Sequence, residues 1–395
     1  MFDALAEQAH ELLPEFRDLR RELHQHPELA FAERWTSDRI ARFLKETGIP
    51  FQRGFAGGTG IVAEIEGQPG GRVALRADMD ALAITEAATL PHASVHTGRM
   101  HACGHDGHMA CLCGAARLLQ EHRETLPGRV RLIFQPGEEN AGGGKRMVDE
   151  GALDGVDAAF ALHAWPGIPA GRVALGSGTV MASGDFFHIT VAGRGGHGAD
   201  PGATIDPTVA ASHMTAALQT VVSREIDPWE AAVLTIGKLH AGNASNIIPD
   251  EAVLEGTLRA FDAGVRRHLR EAAGRVAHHI ARAFRARADV CFQEPGYPPL
   301  RNDPRLAAFA EETLRAVLGR EMVSGLDHPF MTSEDFAFYS EKAPALFLFL
   351  GNDGPERDAS PRLHTAGFDF NEAALPTGML TLASLAWHAL KTGAA

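Results

Sequence analysis

Thiol, imidazole and carboxylate side chains gather in three short stretches of this 395-residue chain. The first is His101-Ala-Cys-Gly-His-Asp-Gly-His108, where a glycine frees Cys103 and His105 to point into one space. The second is Pro136-Gly-Glu-Glu-Asn140 and the third Leu162-His-Ala164. A fourth histidine, His364, stands far along the chain in Leu363-His-Thr-Ala-Gly-Phe-Asp-Phe-Asn-Glu372. Together these donors suit zinc or a similar first-row divalent ion. Adjacent glutamates can divide the work, one binding metal while its neighbour points at an activated water as general base. Taken singly, each has a plainer reading: Cys103 as a small buried residue, Glu138-Glu139 as a solvated turn, His163 as a hydrogen-bonded core histidine. Their company at successive strand ends is what favours a metal site, and spacing alone goes no further.

The elements that must hold these residues are legible from periodicity. Leu12, Phe16, Leu19 and Leu23 recur at helical spacing. Residues 60–66 and 72–76 read as strands separated by Gly67-Gln-Pro-Gly-Gly71, a turn. A buried helix is expected over 107–120, a strand over 128–135, and another over 156–163 that ends on the histidine. Alternating strands and helices predict an α/β core with a mainly parallel sheet flanked by helices, in which chemistry collects at the carboxyl ends of the strands.

The pattern changes near residue 182. Residues 186–192 alternate, a helix follows over 206–225, two alternating strands occupy 232–239 and 252–259, and a basic helix over 264–286 leads to a strand at 289–292. That β-α-β-β-α-β order predicts a smaller ferredoxin-like α+β domain. The expected division is residues 183–294 as an inserted dimerisation and lid domain, with 1–182 and 295–395 as a discontinuous metal-binding domain. Its open sheet would offer an edge strand for a homodimer or higher homo-oligomer.

Apolar residues make up 45% of the chain and charged residues 22%, the balance of a folded globular protein. A net charge of −13 disfavours nucleic acid as a partner. No apolar run approaches the ~20 residues that span a bilayer, so no membrane partner is expected, and the N-terminus lacks a basic segment followed by an apolar one. Four cysteines do not make a disulfide framework at this length and fit a reducing cytoplasm. Cys111, Cys113 and Cys291 are read as packing residues, and His278 and His279 as exposed.

The chain resembles the M20 family of metallopeptidases, in its amidohydrolase branch of hippurate hydrolases, N-acyl-amino acid deacylases and auxin-conjugate hydrolases. The resemblance rests on Arg21-Glu-Leu-His-Gln-His-Pro-Glu-Leu29, Leu75-Arg-Ala-Asp-Met-Asp-Ala-Leu82, the 100–108 and 134–139 stretches, Gly193-Arg-Gly-Gly-His197, Asn246-Ile-Ile-Pro249, Thr332-Ser-Glu-Asp-Phe336 and the His364 segment. It implies two divalent ions per subunit (zinc, manganese, cobalt or nickel) on Cys103, His105, Glu139, His163 and His364. In that arrangement Cys103 bridges both ions, Glu139 and His364 complete one, and His105 and His163 the other. Glu138 matches the family's general base and acid, and His197 a histidine that stabilises the oxyanion, usually in the partner subunit. Asp80 is expected to orient a ligand histidine, and Asn246 and Arg259 to grip the substrate, arginine suiting an α-carboxylate.

The implied activity is hydrolysis of the amide bond of N-acyl amino acids, hippurate-like or N-acetylated, with free amino acid released. A dipeptidase or exopeptidase of the same family is the alternative, and a non-catalytic binding protein on this scaffold the remote one. Gly198 departs from the branch, which often carries alanine there, and this bears on the loop beside His197.

Overall fold

Three aspartates start three of the longer helices. Asp206 accepts the N–H groups of Thr208 and Val209 before helix Pro207–Glu225, and Asp262 those of Gly264 and Val265 before Ala263–Ala283. Asp303 does the same for Arg305 and Leu306 before Pro304–Leu318. Each satisfies donors that the first helical turn cannot pair internally. The computed structural model describes residues 2–87, 89–354 and 361–394. Its chain forms two compact units: Met1–Gly178 with Arg301–His328 and Asp335–Ala395, and Thr179–Leu300 with Pro329–Glu334.

The larger unit is built on an eight-stranded sheet. In chain order its strands are β1 (Phe51–Phe55), β2 (Gly60–Glu66), β3 (Arg72–Asp78), β4 (Arg129–Gln135), β5 (Ala158–Pro169), β6 (Val173–Leu175), β7 (Val323–Gly325) and β8 (Ala345–Asp353). Across the sheet they run β1-β2-β4-β3-β5-β8-β6-β7. The central run β4-β3-β5-β8 is parallel throughout. These strands are apolar on both faces (Leu346 to Leu350 are all buried), as a parallel sheet covered by helices requires. β5 continues to Pro169 instead of ending on His163, because β8 pairs beside it past that point, Gly351 against Trp165 and Asp353 against Pro169.

Helices His105–Glu121 and Leu375–Thr392 pack closely enough to demand glycine. A Cβ on Gly114 would lie 2.0 Å from Met379 Sδ, and one on Gly378 would lie 2.4 Å from Cys111 Sγ. Cys111 and Cys113 are thus core fillers. The segment Glu372–Thr392 is long and apolar enough to cross a membrane by length and composition, yet 78% of its apolar window is buried inside the protein. It is the core helix of this unit.

The smaller unit carries an antiparallel four-stranded sheet in the order Ala232–Ala241, Glu251–Ala260, Asp185–Ala192, Arg287–Phe292. That order, with helices Pro207–Glu225 and Ala263–Ala283, is ferredoxin-like. Phe187, Ile189 and Val191 turn inward to meet Met214, Leu218, Leu254 and Leu269. The same alternation overturns the reading of Cys291 as a packing residue. On Arg287–Phe292, Ala288 faces the core, while Arg287, Asp289 and Cys291 face outward and are exposed.

Candidate metal centre

Cys103 is the point on which the site converges. Its Sγ lies 3.4 Å from His163 Nε2 and 3.2 Å from His364 Nε2. His364 Nε2 is also 3.2 Å from Glu139 Oε1. One donor atom each from Cys103, His105 and His163 lie within 4.8 Å of one another, and so do those of Cys103, Glu139 and His364. Two three-donor sets thus share a single sulfur.

Each donor is placed by a distinct local device. Gly104, at φ 87°, turns the chain into helix His105–Glu121, so that His105 opens the helix instead of preceding it. His163 sits inside β5, where its Nδ1 meets the Ala164 carbonyl at 2.7 Å. A carbonyl only accepts, so Nδ1 carries the proton and Nε2 keeps its lone pair toward Cys103. Burial, and after it the neighbouring His108, hold the His163 pKa well below the usual histidine range, which keeps the ring in its ligating neutral form. His364 adopts φ 61°, a left-handed conformation seldom used by non-glycine residues. It is held there by its N–H donating to the Ala102 carbonyl, and its side chain is half-exposed.

Glu138 and Glu139 begin the short helix Glu138–Ala141 after Gly137, itself at φ 67°. Asp80 receives both of their backbone N–H groups, Oδ1 from Glu138 and Oδ2 from Glu139, each at 2.9 Å. It stands 3.5 Å from His105 Nδ1, too far for a strong bond, so its principal grip is on the glutamate turn. Glu138 Oε1 in turn accepts the Asp335 N–H at 3.3 Å. The neighbouring acids therefore reach different groups, Glu139 toward His364 and Glu138 toward Asp335.

Beneath the donors lies a buried polar frame. Arg76 reaches Asp78, Gln135 and Asp335 at 2.8 to 2.9 Å, and Asp335 accepts from Gln135 and from the Gly144 N–H. Asp78 also meets His108 Nδ1 at 2.7 Å, while His108 Nε2 accepts the Ala164 N–H at 2.8 Å. His108 is thereby fixed as the neutral Nδ1–H form and ties the His105 helix to β5. Sequence reasoning expected a supporting role for His108 beside the ligands but gave none to Asp78 or Asp335. Their signal was present, since Asp78 and Asp335 are acids within the family motifs, but nothing in a sequence tells a framing acid from a solvated one.

The donor set fits a cation. Burial, then the charges of Glu139, Glu138 and Asp78, push the Cys103 thiol well above its ordinary pKa, so a thiolate there calls for positive charge beside it. Both ring nitrogens of His105 are buried without a hydrogen bond. Burial works against a charge on that ring, yet Asp78, Asp80 and Glu139 together raise its pKa to about 10. Surplus negative charge around an unsatisfied imidazole and a buried thiol is the environment of a divalent ion.

The substrate-gripping candidates belong to the smaller unit. His197 pairs with Ile247 across the short strands Gly196–His197 and Ile247–Ile248. Its Nδ1 accepts the Ala199 N–H at 3.0 Å, leaving the proton on Nε2. Gly198 donates to the Asn246 carbonyl, and a Cβ on Gly198 would lie 3.0 Å from that oxygen, which accounts for glycine at the position. His197 and Asn246 are thus set side by side. Arg259 donates to Ser333 Oγ at 2.5 Å and lies 5.4 Å over the Phe186 ring. Burial lowers its pKa somewhat, and among the described residues no carboxylate bonds it.

A family model described as peptidase family M20/M25/M40 matches residues 74–388. N-acetyl-L-cysteine deacetylase of Bacillus subtilis is 42% identical over 90% of this chain and 84% of its own. IAA-amino acid hydrolase ILR1-like 4 of Arabidopsis thaliana is 40% identical over 93% and 84%. The crystal structure of the Bacillus subtilis YXEP protein, described as a dinuclear metal binding peptidase from the M20 family, aligns with a TM-score of 0.82 at 37% identity, over 97% of this chain and 99% of that one.

Proposed function

The chain belongs to peptidase family M20/M25/M40, and from that premise we propose that it hydrolyses N-acyl amino acids to a carboxylic acid and a free amino acid. The observation that carries this reading is the pair of donor sets sharing Cys103, with Glu138 beside them in the same turn as Glu139. Relatives named N-acetyl-L-cysteine deacetylase and IAA-amino acid hydrolase support the acyl amino acid as substrate class.

Cys103 is assigned to both ions, Glu139 and His364 to one, His105 and His163 to the other. Two divalent ions (zinc, manganese, cobalt or nickel) held by these residues would supply Lewis acidity, lowering the pKa of a water and polarising the amide carbonyl. Glu138 takes a proton from the attacking water as the water oxygen bonds the carbonyl carbon. It returns the proton to the amide nitrogen as the C–N bond breaks, so the amine leaves neutral. Asp80 and Asp335 keep the Glu138 carboxylate aimed through this exchange. His197, with its proton on Nε2, is assigned to the developing oxyanion, and Asn246 and Arg259 to the substrate's carboxylate end.

A homodimer through the smaller domain is part of the same reading. Strand Ala232–Ala241 is an edge of its sheet, and Trp229, Leu239 and Ile247 are large apolar side chains left exposed on this unit. A thiol among the ligands suits a reducing compartment such as the cytoplasm.

The deciding assay is release of free amino acid from a panel of N-acyl amino acids, after chelation and after each divalent metal is restored. Metal-restored cleavage is expected, and the best acyl group names the subclass. Cleavage of free dipeptides in preference to every acyl amino acid would replace the deacylase reading with a peptidase one.

A further inference from the structure

The turn that carries Glu138 is held from two sides. Asp80 takes the N–H groups of residues 138 and 139, and the preceding N–H, that of Gly137, goes to Glu33 Oε1 at 3.0 Å. Glu33 lies 104 residues before Gly137 in the chain, ahead of helix Arg34–Thr47, and its side chain is buried. The same Oε1 accepts the Phe31 N–H at 2.9 Å, while Oε2 accepts Thr59 Oγ1 at 2.9 Å. Phe31 has φ 60°, and its ring lies against Gly137, where a Cβ would stand 2.8 Å from it. Arg146 covers that ring at 4.0 Å. The segment is also zipped to the strand end bearing Asp80, since the Ala81 N–H donates to the Glu28 carbonyl at 2.8 Å.

We propose that Glu33 is a positioning residue for Glu138, acting through the Gly137 N–H to fix the turn from which the general base projects. The proposal rests on the reading of Glu138 as that base. Three consecutive N–H groups need acceptors inside the protein, and two carboxylates from separate segments supply them. Removing Glu33 leaves the Gly137 and Phe31 N–H groups and the Thr59 hydroxyl without that partner, and the turn loses its hold on the Gly137 side. A displacement of about 1 Å at a reacting group costs on the order of 10²-fold in rate. Burial and the Asp80 charge raise the Glu33 carboxyl to about 7. Protonated or not, Oε1 keeps the lone pairs that the two N–H groups use, so the hold does not depend on that titration.

The test compares Glu33→Ala, Glu33→Gln and Glu33→Asp, with Glu138→Gln run alongside. Glutamine can place its oxygen on both N–H groups and donate its amide to Thr59, so it should keep kcat within about threefold. Alanine should lower kcat by about 10- to 100-fold, with KM, bound metal and melting temperature little changed. Aspartate, one methylene short, should lie between, and it carries the test if the alanine variant does not fold. Wild-type kcat in a folded alanine or aspartate variant would overturn the proposal. So would equal loss in alanine and glutamine, loss of kcat only in step with metal content, or failure of both alanine and aspartate to fold, which would make Glu33 a stability residue. An active Glu138→Gln protein would instead overturn the assignment of the base, which keeps the two failures apart.

Discussion

Asp80 spans the turn that carries Glu138, one carboxylate oxygen bonded to the Glu138 N–H at 2.9 Å and the other to that of Glu139 at the same distance. A single acid thus sets the direction of two others. Because they follow each other in a helical turn, their side chains diverge, one toward Asp335 and the other toward His364. Substitution should separate them. Glu138→Gln keeps shape and metal donors, and is expected to lose about 10³-fold in kcat with nearly full metal content. Glu139→Gln removes a charged donor and should lose metal first. Atomic emission on both variants, beside their turnover, decides the point. Equal metal contents with equal residual activities would dissolve the division of labour.

Cys103 is the member common to both donor sets. Replacing it with alanine should therefore lower the metal content by up to two ions per chain. His163→Ala and His364→Ala should each weaken one ion, by at least the 10- to 100-fold that even outer-shell partners are worth. Titration of each variant with one metal at fixed pH gives the stoichiometries. Retention of one tightly bound ion in Cys103→Ala would mean the sulfur serves a single ion.

How much of this arrangement the sequence carried differs from part to part. The grouping of these side chains was legible because glycines and apolar strand residues precede them: Gly104 before His105, Pro136-Gly137 before Glu138, a buried apolar run before His163. The ferredoxin-like strand order followed from period-two alternation at 186–192, 232–239 and 252–259. What stayed hidden depends on contacts between distant segments. Glu33 meets Gly137 and Asp335 meets Arg76 only after folding, and neither pairing leaves a local pattern. Cys291 went astray because its neighbours Val290 and Phe292 are apolar, which disguises an outward position on an edge strand. The helix Leu375–Thr392 shows the converse, an apolar run that packing, not lipid, explains.

A second buried polar group lies beside the site and predicts a pH dependence of stability. Arg20 and His24 both reach Asp106 Oδ2, at 2.7 and 2.8 Å, and His24 Nε2 stands 3.3 Å from Glu86. Burial opposes protonation of His24, but the charge and hydrogen bond of Asp106, with Glu86 beyond, outweigh it and raise the pKa to about 9. A histidine raised on folding contributes its stability fully below its unfolded value, near 6.5, and loses it as the pH rises through about 9. The loss is at most about 3 to 4 kcal/mol, each pKa unit being worth about 1.4. Urea midpoints of chelated protein should fall from pH 7 to 9.5, and the fall should be much smaller in His24→Gln. Parallel curves for the two proteins would show that His24 does not gain a proton on folding.

His197 offers the last and most discriminating prediction. Its Nδ1 is committed to the Ala199 N–H, so the neutral ring presents an Nε2–H donor without needing to be charged. If that donor meets the oxyanion, His197→Ala should lower kcat by about 10²- to 10³-fold with KM nearly unchanged, since the charge it meets develops only in the transition state. The chain that supplies the donor can then be found by mixing. Let one subunit carry Glu138→Gln and the other His197→Ala, and let the two exchange into dimers at equal amounts. If each site borrows its histidine from the neighbouring subunit, the site with intact Glu138 in a mixed dimer also receives an intact His197. Half of randomly formed dimers are mixed and each holds one such site, so about a quarter of wild-type activity should return. If each site uses its own histidine, every site in the mixture is defective and nothing returns. Near-normal kcat in His197→Ala alone would remove the residue from the chemistry before the mixing is done.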